Sequence, residues 1–155
     1  MGDEEQARAT EGRPAGAARS GARGSREPGV RPVPAKAPIG DFKDLLAWRQ
    51  AYDVTRAVYQ VTRERYRPEW VPLIRQLQRS SLSVPSNIAE GYGRGSLHDY
   101  IRFLRMARGS AAELETQLLL AKDLGLLEEG TAAALLRDLG TVQRLLGGLL
   151  RSLGG

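Results

Sequence analysis

The sequence predicts an all-α protein: an antiparallel up-down-up-down four-helix bundle over residues 41–155, with a disordered N-terminal tail over residues 1–40. Three observations predict it. Apolar residues recur at steps of three and four through four long stretches, the spacing that lines one face of a helix. Pro, Gly or a capping side chain marks the ends of these stretches. No alternating polar–apolar run of useful length competes, and four long helices with short connections pack most economically as an up-down bundle.

The tail holds five of the eight Pro, seven Gly and eight Ala, no aromatic residue, and only Val30, Val33 and Ile39 as β-branched aliphatics. Such a composition cannot bury enough apolar surface to offset the entropy of ordering. Residues 31–38, Arg-Pro-Val-Pro-Ala-Lys-Ala-Pro, form a stiff extended lead-in.

The first helix opens at Asp41 as N-cap, with Asp44 in the first turn. Leu45, Trp48, Tyr52, Thr55, Tyr59, Thr62 and Tyr66 then make an unbroken seam, which Ala51 and Val58 widen. This seam puts the aromatic rings inside, with Arg49, Arg56 and Arg63 as a ridge beside them, and Pro68 closes the helix.

The second helix runs from about Glu69 toward Gly91, with Trp70, Leu73, Leu77, Ser81 (or Ser80), Val84 and Ile88 inward and Arg75 and Arg79 one turn apart. Pro72 is tolerated in the first turn. Pro85 removes a hydrogen bond and meets the carbonyl of Ser81, at a cost of about 3 kcal/mol. Either the helix kinks there or it stops and restarts at Asn87; a kinked, continuous helix is expected. Residues 91–95, Gly-Tyr-Gly-Arg-Gly, end it.

Ser96, with Asp99 three residues on, caps a third helix. Tyr100, Phe103, Leu104, Ala107, Ala111, Leu114, Leu118, Ala121 and Leu124 follow at helical spacing to the stop at Gly125. The fourth helix starts near Glu128 or Thr131 and carries Leu135, Leu139, Val142, Leu146, Leu149 and Leu153. Trp48, Tyr52, Tyr59, Leu77, Phe103 and Leu114 are expected in one core.

The last two helices have more leucine than one core absorbs. Leu118, Leu119 and Leu120 alone span about 200° of helix, where a stripe somewhat over about 100° suffices. Leu126 and Leu127 and the pairs Leu135/Leu136, Leu145/Leu146 and Leu149/Leu150 add to it. The surplus points to burial against another copy, hence a homo-oligomer. Gly140 and Gly147, seven apart, each cost about 1 kcal/mol relative to Ala, which a close helix approach would offset.

Composition narrows the function. The 155 residues include no Cys and a single His, His98, which removes disulfides, thiol nucleophiles, thiolate metal sites and His-pair zinc motifs. No apolar window reaches the roughly 18 residues of a membrane span, and the acidic, Arg-dotted start has no apolar h-region. The expected location is cytoplasmic, without membrane contact. Glu90, Glu113 and Glu115 lack the Glu-x-x-His partner of a di-iron bundle. The Gly-Tyr-Gly-Arg-Gly loop lacks the Lys-Ser/Thr of a phosphate loop. The serines at 80, 81, 83 and 86 have no base at helical spacing. No enzyme activity, metal or cofactor is expected.

Charge is more informative. Residues 41–108 hold twelve basic and seven acidic residues, against four and six in residues 109–155, so the middle of the chain is basic and its end mildly acidic. Twenty of the 23 basic residues are Arg, which GC-rich codon usage also produces. A basic middle suits a polyanion, since Lys and Arg release counterions from phosphates. The candidate ridges are Arg49, Arg56 and Arg63; Arg75 and Arg79; and Arg102, Arg105 and Arg108, with Asp53, Glu64 and Asp99 competing for Arg49, Arg63 and Arg102.

The segment from Gln76 to Gly91, above all Ser83-Val84-Pro85-Ser86-Asn87-Ile88-Ala89-Glu90-Gly91, closely resembles the signature of bacterial four-helix-bundle proteins first described as products of intervening sequences within 23S ribosomal RNA genes. Phe42 through Ala51 resembles that family's first helix. Tyr100 through Glu115, with Phe103 to Ser110 and Glu113-Leu114-Glu115, resembles its third. The resemblance covers residues 41–153 and marks Ser83, Pro85, Asn87, Ile88, Glu90, Gly91 and Glu113 as structural signature positions. It implies a ring-like homopentamer. In one branch, the accessory subunit of diversity-generating retroelements, it also implies a basic surface that binds RNA and a pentamer that engages a reverse transcriptase.

The expectation is therefore a non-catalytic homo-oligomer that binds RNA or DNA non-specifically through its arginine ridges. The alternative is a protein-interaction scaffold or accessory subunit, for example of a reverse transcriptase, without direct nucleic-acid binding. Within the signature, Asn87 is expected to bond backbone freed near Pro85, and Glu90 to pair with an arginine such as Arg79.

Overall fold

A computed structural model describes residues 40–154; the tail expected over residues 1–40 lies almost wholly outside them. Four helices follow one another: α1 Leu46–Glu64, α2 Val71–Gly93, α3 Leu97–Asp123 and α4 Glu129–Ser152, with short 3-10 turns at Phe42–Asp44 and Pro68–Trp70. Each packs on its neighbours in sequence and α1 also packs on α4, while the backbones of the diagonal pairs do not approach within 8 Å. This is the up-down-up-down bundle. Its core includes Val58, Leu77, Ile88, Leu104, Leu118 and Leu146, each with no surface exposed.

The boundaries follow local chemistry. Ser96 Oγ accepts the Asp99 N–H at 3.4 Å to cap α3, and Gly125, at φ 79°, turns the chain out of it. Asp41 caps one element earlier than expected: its carboxylate accepts the Lys43 N–H at 3.0 Å, within the first 3-10 turn. α1 then starts behind Leu45 without a side-chain cap. Pro68 opens the second 3-10 turn rather than closing α1, which has already ended at Glu64.

The inward face of α1 differs from the expected aromatic seam. Its buried residues are Ala47, Ala51, Val54, Thr55, Val58 and Thr62. Tyr52, Tyr59 and Tyr66 are 46%, 42% and 66% exposed, so Tyr52 and Phe103 do not share a core. The two stripes overlap on the helix, and the one with small side chains goes inside because it lets α1 lie close to its neighbours. Phe42, Trp48 and Tyr52 form an aromatic cluster at its edge, with ring centroids 5.2 Å and 5.1 Å apart.

α2 passes through Pro85 without interruption. The missing N–H of Pro85 leaves the Ser81 carbonyl without its helical donor. Thr55 of α1 supplies one: its Oγ1 lies 2.8 Å from the Ser81 carbonyl and 2.8 Å from that of Ala51. Ala51 already has a ladder donor in the Thr55 N–H, so the hydroxyl proton is needed at Ser81. Asn87, expected to serve that freed backbone, instead donates to the Ser83 carbonyl at 2.8 Å and Ser83 Oγ at 3.0 Å.

The rest of the signature joins α2 to α3. Ser83 Oγ meets Ser110 Oγ at 2.9 Å. Ser80 Oγ donates to Gln117 at 2.6 Å, and Gln117 donates to Glu113 at 3.1 Å. Gly91, helical rather than a turn residue, is the closest approach: a Cβ there would lie 2.6 Å from the Phe103 Cβ. Glu90 pairs with Arg94, not with Arg79, because Arg79 is three turns away, about 16 Å along the same helix. Among the described residues no other helix comes within 4 Å of a Cβ at Gly140 or Gly147; only the guanidiniums of Arg144 and Arg151, on their own helix, do.

Tyr100 packs on Tyr92 edge to face at 6.2 Å. It is buried, and its hydroxyl has no hydrogen-bond partner among the described residues. Burial, aided by Tyr92, pushes the phenol up from 10.0 to about 12.

Three expectations follow. Thr55→Val should cost about 1–3 kcal/mol by orphaning the Ser81 carbonyl. In a Pro85→Ala background, where residue 85 regains its N–H, the same change should cost at least about 1 kcal/mol less. Urea unfolding of the four proteins measures this coupling, and equal costs in both backgrounds would dismiss it. Gly91→Ala should lose about 1–3 kcal/mol by forcing α2 and α3 apart; an unchanged melting temperature would contradict that contact. Tyr100 keeps its proton longer in the folded than in the unfolded chain, so its contribution is intact below pH 10 and is lost as pH rises toward about 12. Stability should fall there by up to about 1.4 kcal/mol per pH unit. Tyr100→Phe should flatten the decline without destabilising the protein at neutral pH, and parallel curves for the two proteins would refute the assignment.

Candidate nucleic-acid interface

On α1, residues seven apart drift by only about 20°, so Arg49, Arg56 and Arg63 form one row and Tyr52 and Tyr59 another, offset by three residues, while Tyr66 lies two residues beyond the helix in the connection to α2. Residues three apart are surface neighbours on a helix. The rows therefore interleave as arginine, tyrosine, arginine, tyrosine toward the α1–α2 connection. The tyrosines face outward because Ala51, Val54 and Val58 hold the inner stripe.

Between this row and α2 lies an open groove of about 850 Å³. Arg56, Tyr59, Arg63 and Tyr66 form one wall, and Arg75 stands on the α2 side. The floor contains buried Thr62 and Ile74, and Gln78 Nε2 donates to Thr62 Oγ1 at 3.0 Å. Three arginines and no carboxylate line it. Among the described residues Arg63 and Arg75 have no ion pair; Glu64, expected to compete for Arg63, lines a separate recess with Arg65 and Tyr66. Arg56 meets Asp53 at 3.7 Å, with both side chains largely exposed, a pair of little strength.

The other candidate arginines are dispersed. Arg49 is taken up by the first 3-10 turn, donating to the Lys43 carbonyl at 2.6 Å and to Asp44 at 3.2 Å, rather than to Asp53. Arg79 is exposed on α2 outside the groove lining. Arg102 pairs with Asp99 at 3.6 Å and lies 4.7 Å from the Phe103 ring centre. With Arg105 it borders a shallow recess beside His98 and Met106, and Arg108 is exposed further along α3. Since α1 and α3 are diagonal, these arginines do not continue the groove. Arg56 and Arg63 of the first ridge meet Arg75 of the second, and the third ridge is outside the groove.

Sequence reasoning assigned the groove arginines but placed Tyr59 and Tyr66 in the core. The three-residue offset between the two rows was the available signal. At the adjacent end of the bundle Arg65 pairs with Glu128, and its hydrogen bond holds the Glu128 carboxyl below its usual range. Among the described residues no three His, Asp or Glu gather into a metal-binding group. No helix there is long and apolar enough to cross a membrane.

Over residues 43–148 the sequence matches the 23S rRNA-intervening sequence protein family. The fold is similar to the crystal structure of a protein of unknown function from the S23 ribosomal protein family of Bacteroides thetaiotaomicron, with a TM-score of 0.60 and 19% identity. That similarity covers 68% of this chain and 98% of the other, and at this identity it bears on fold alone. No curated protein matches the chain. The chain belongs to the 23S rRNA-intervening sequence protein family.

Proposed function

We propose that this member of the 23S rRNA-intervening sequence protein family is a non-catalytic homo-oligomer that binds nucleic acid, RNA or DNA, without sequence preference. The observation that carries the reading is the groove between α1 and α2, where Arg56, Arg63 and Arg75 converge with no acidic side chain in the lining. Each arginine placed against a phosphate releases condensed counterions, a gain indifferent to base sequence and steeply dependent on salt. Arg79, Arg102, Arg105 and Arg108 offer further phosphate contacts outside the groove.

Self-association is supported by Leu119, Leu120 and Leu124 of the α3 end, which are 42%, 47% and 53% exposed. Copies held together would turn several weak grooves into one stronger site through effective concentration. The same leucines favour a second reading, a scaffold or accessory subunit that docks a protein, such as a reverse transcriptase, and touches no nucleic acid.

Salt separates the two. The wild type should bind single-stranded RNA and duplex DNA at low salt, with log affinity falling linearly in log salt. Arg56→Gln with Arg63→Gln should weaken both and reduce the slope by about 0.7–0.9 per lost phosphate contact. The measurement is fluorescence anisotropy of labelled oligonucleotides across a salt series. No binding at low salt would discard this function and leave the scaffold reading.

A further inference from the structure

We propose that the groove is a single-strand platform, in which Tyr59 and Tyr66 stack unpaired bases while Arg56, Arg63 and Arg75 hold the phosphates. This rests on the nucleic-acid reading above and adds the class of strand. The two tyrosines are the groove's only aromatic residues, and both are substantially exposed. Neither makes a ring contact among the described residues, whereas the Tyr52 ring is already stacked on Trp48 at 19° between planes. Phenol rings standing in water beside free guanidiniums are the pairing that sequence-tolerant single-strand sites use, since every base has a π-face.

Shape selects against duplexes. A duplex keeps its bases paired and stacked inside, with only their edges in the grooves, so their faces cannot reach either ring. In a single strand the bases can splay out and stack on aromatic side chains. The buried floor of Thr62, which accepts the Gln78 hydrogen bond, and Ile74 fixes the part of α1 on which Tyr59 stands.

The test compares a labelled oligo(dT) with an abasic strand of the same length and phosphate number, and with a duplex. For the full-length wild type, oligo(dT) should bind at least about five-fold more tightly than the abasic strand, the smaller end of what one stacked base contributes. Tyr59→Leu with Tyr66→Leu should abolish that preference while leaving abasic-strand affinity and the salt slope unchanged. Tyr59→Phe with Tyr66→Phe, which keeps the π-faces, should retain it. Both positions are exposed, so folding is spared, and circular dichroism checks this. Equal wild-type affinity for oligo(dT) and the abasic strand, or a preference that survives the leucine variant, overturns the platform while phosphate binding stands. Failure to bind any of the three overturns both readings.

Discussion

Pro85 leaves the Ser81 carbonyl in mid-helix without a donor, and Thr55 of α1 supplies it across the helix pair. An unmet buried carbonyl is costly, so this bond sets where α1 lies along α2. Seven residues further along α1 the pattern repeats in weaker form, where Thr62 accepts from Gln78. Both threonines point inward on one stripe with Ala51, Val54 and Val58, and the tyrosines of the same helix must then point elsewhere. The groove chemistry depends on that rotation: the side of α1 that satisfies the Ser81 carbonyl orphaned by Pro85 determines the side that carries Arg56, Tyr59 and Arg63.

On its other flank α2 meets α3 through small residues. Gly91 admits Phe103, and Ser80 and Ser83 reach Gln117 and Ser110. The signature string thus reads as two interfaces on one helix, Pro85 with Ser81 toward α1 and Ser83, Asn87 and Gly91 toward α3. Glu90 stands outside both and pairs locally with Arg94. These contacts account for the residue types without calling on a ligand.

The four helices were legible because Gly125, Ser96 and the three-and-four spacing are local signals with local causes. The rotation of α1 was not. Ala51/Val58 and Tyr52/Tyr59 are equally periodic, and hydrophobicity alone favours the larger rings. What decides between them is how near α2 and α4 come, a property of the assembled bundle. The partners of charged residues failed for the same reason. Arg49 and Glu90 each had several acids or bases at permissible spacing, and the 3-10 turn before α1 and the nearer Arg94 settled the choice. The groove was therefore half visible: its arginines stand out as charges, whereas its tyrosines become groove residues only once the inner stripe is known.

The exposed leucines and the groove lie on different helices at the same end of the bundle, where Tyr66 of the groove shares a recess with Gly125 and Leu126, and this bears on how one chain could both associate and bind. Leu119, Leu120 and Leu124 belong to the C-terminal end of α3. The groove is lined by α1, α2 and the connection between them, and the backbones of α1 and α3 do not approach within 8 Å. A contact made through the leucines need not cover Arg56 or Arg63, which stand on the diagonal helix. The charge distribution follows the same division, with the basic residues concentrated before residue 109 and a net negative charge after it. Association through the acidic, leucine-rich part would bring several basic grooves together, and salt would screen the repulsion between like charges that lie more than about 8–10 Å apart.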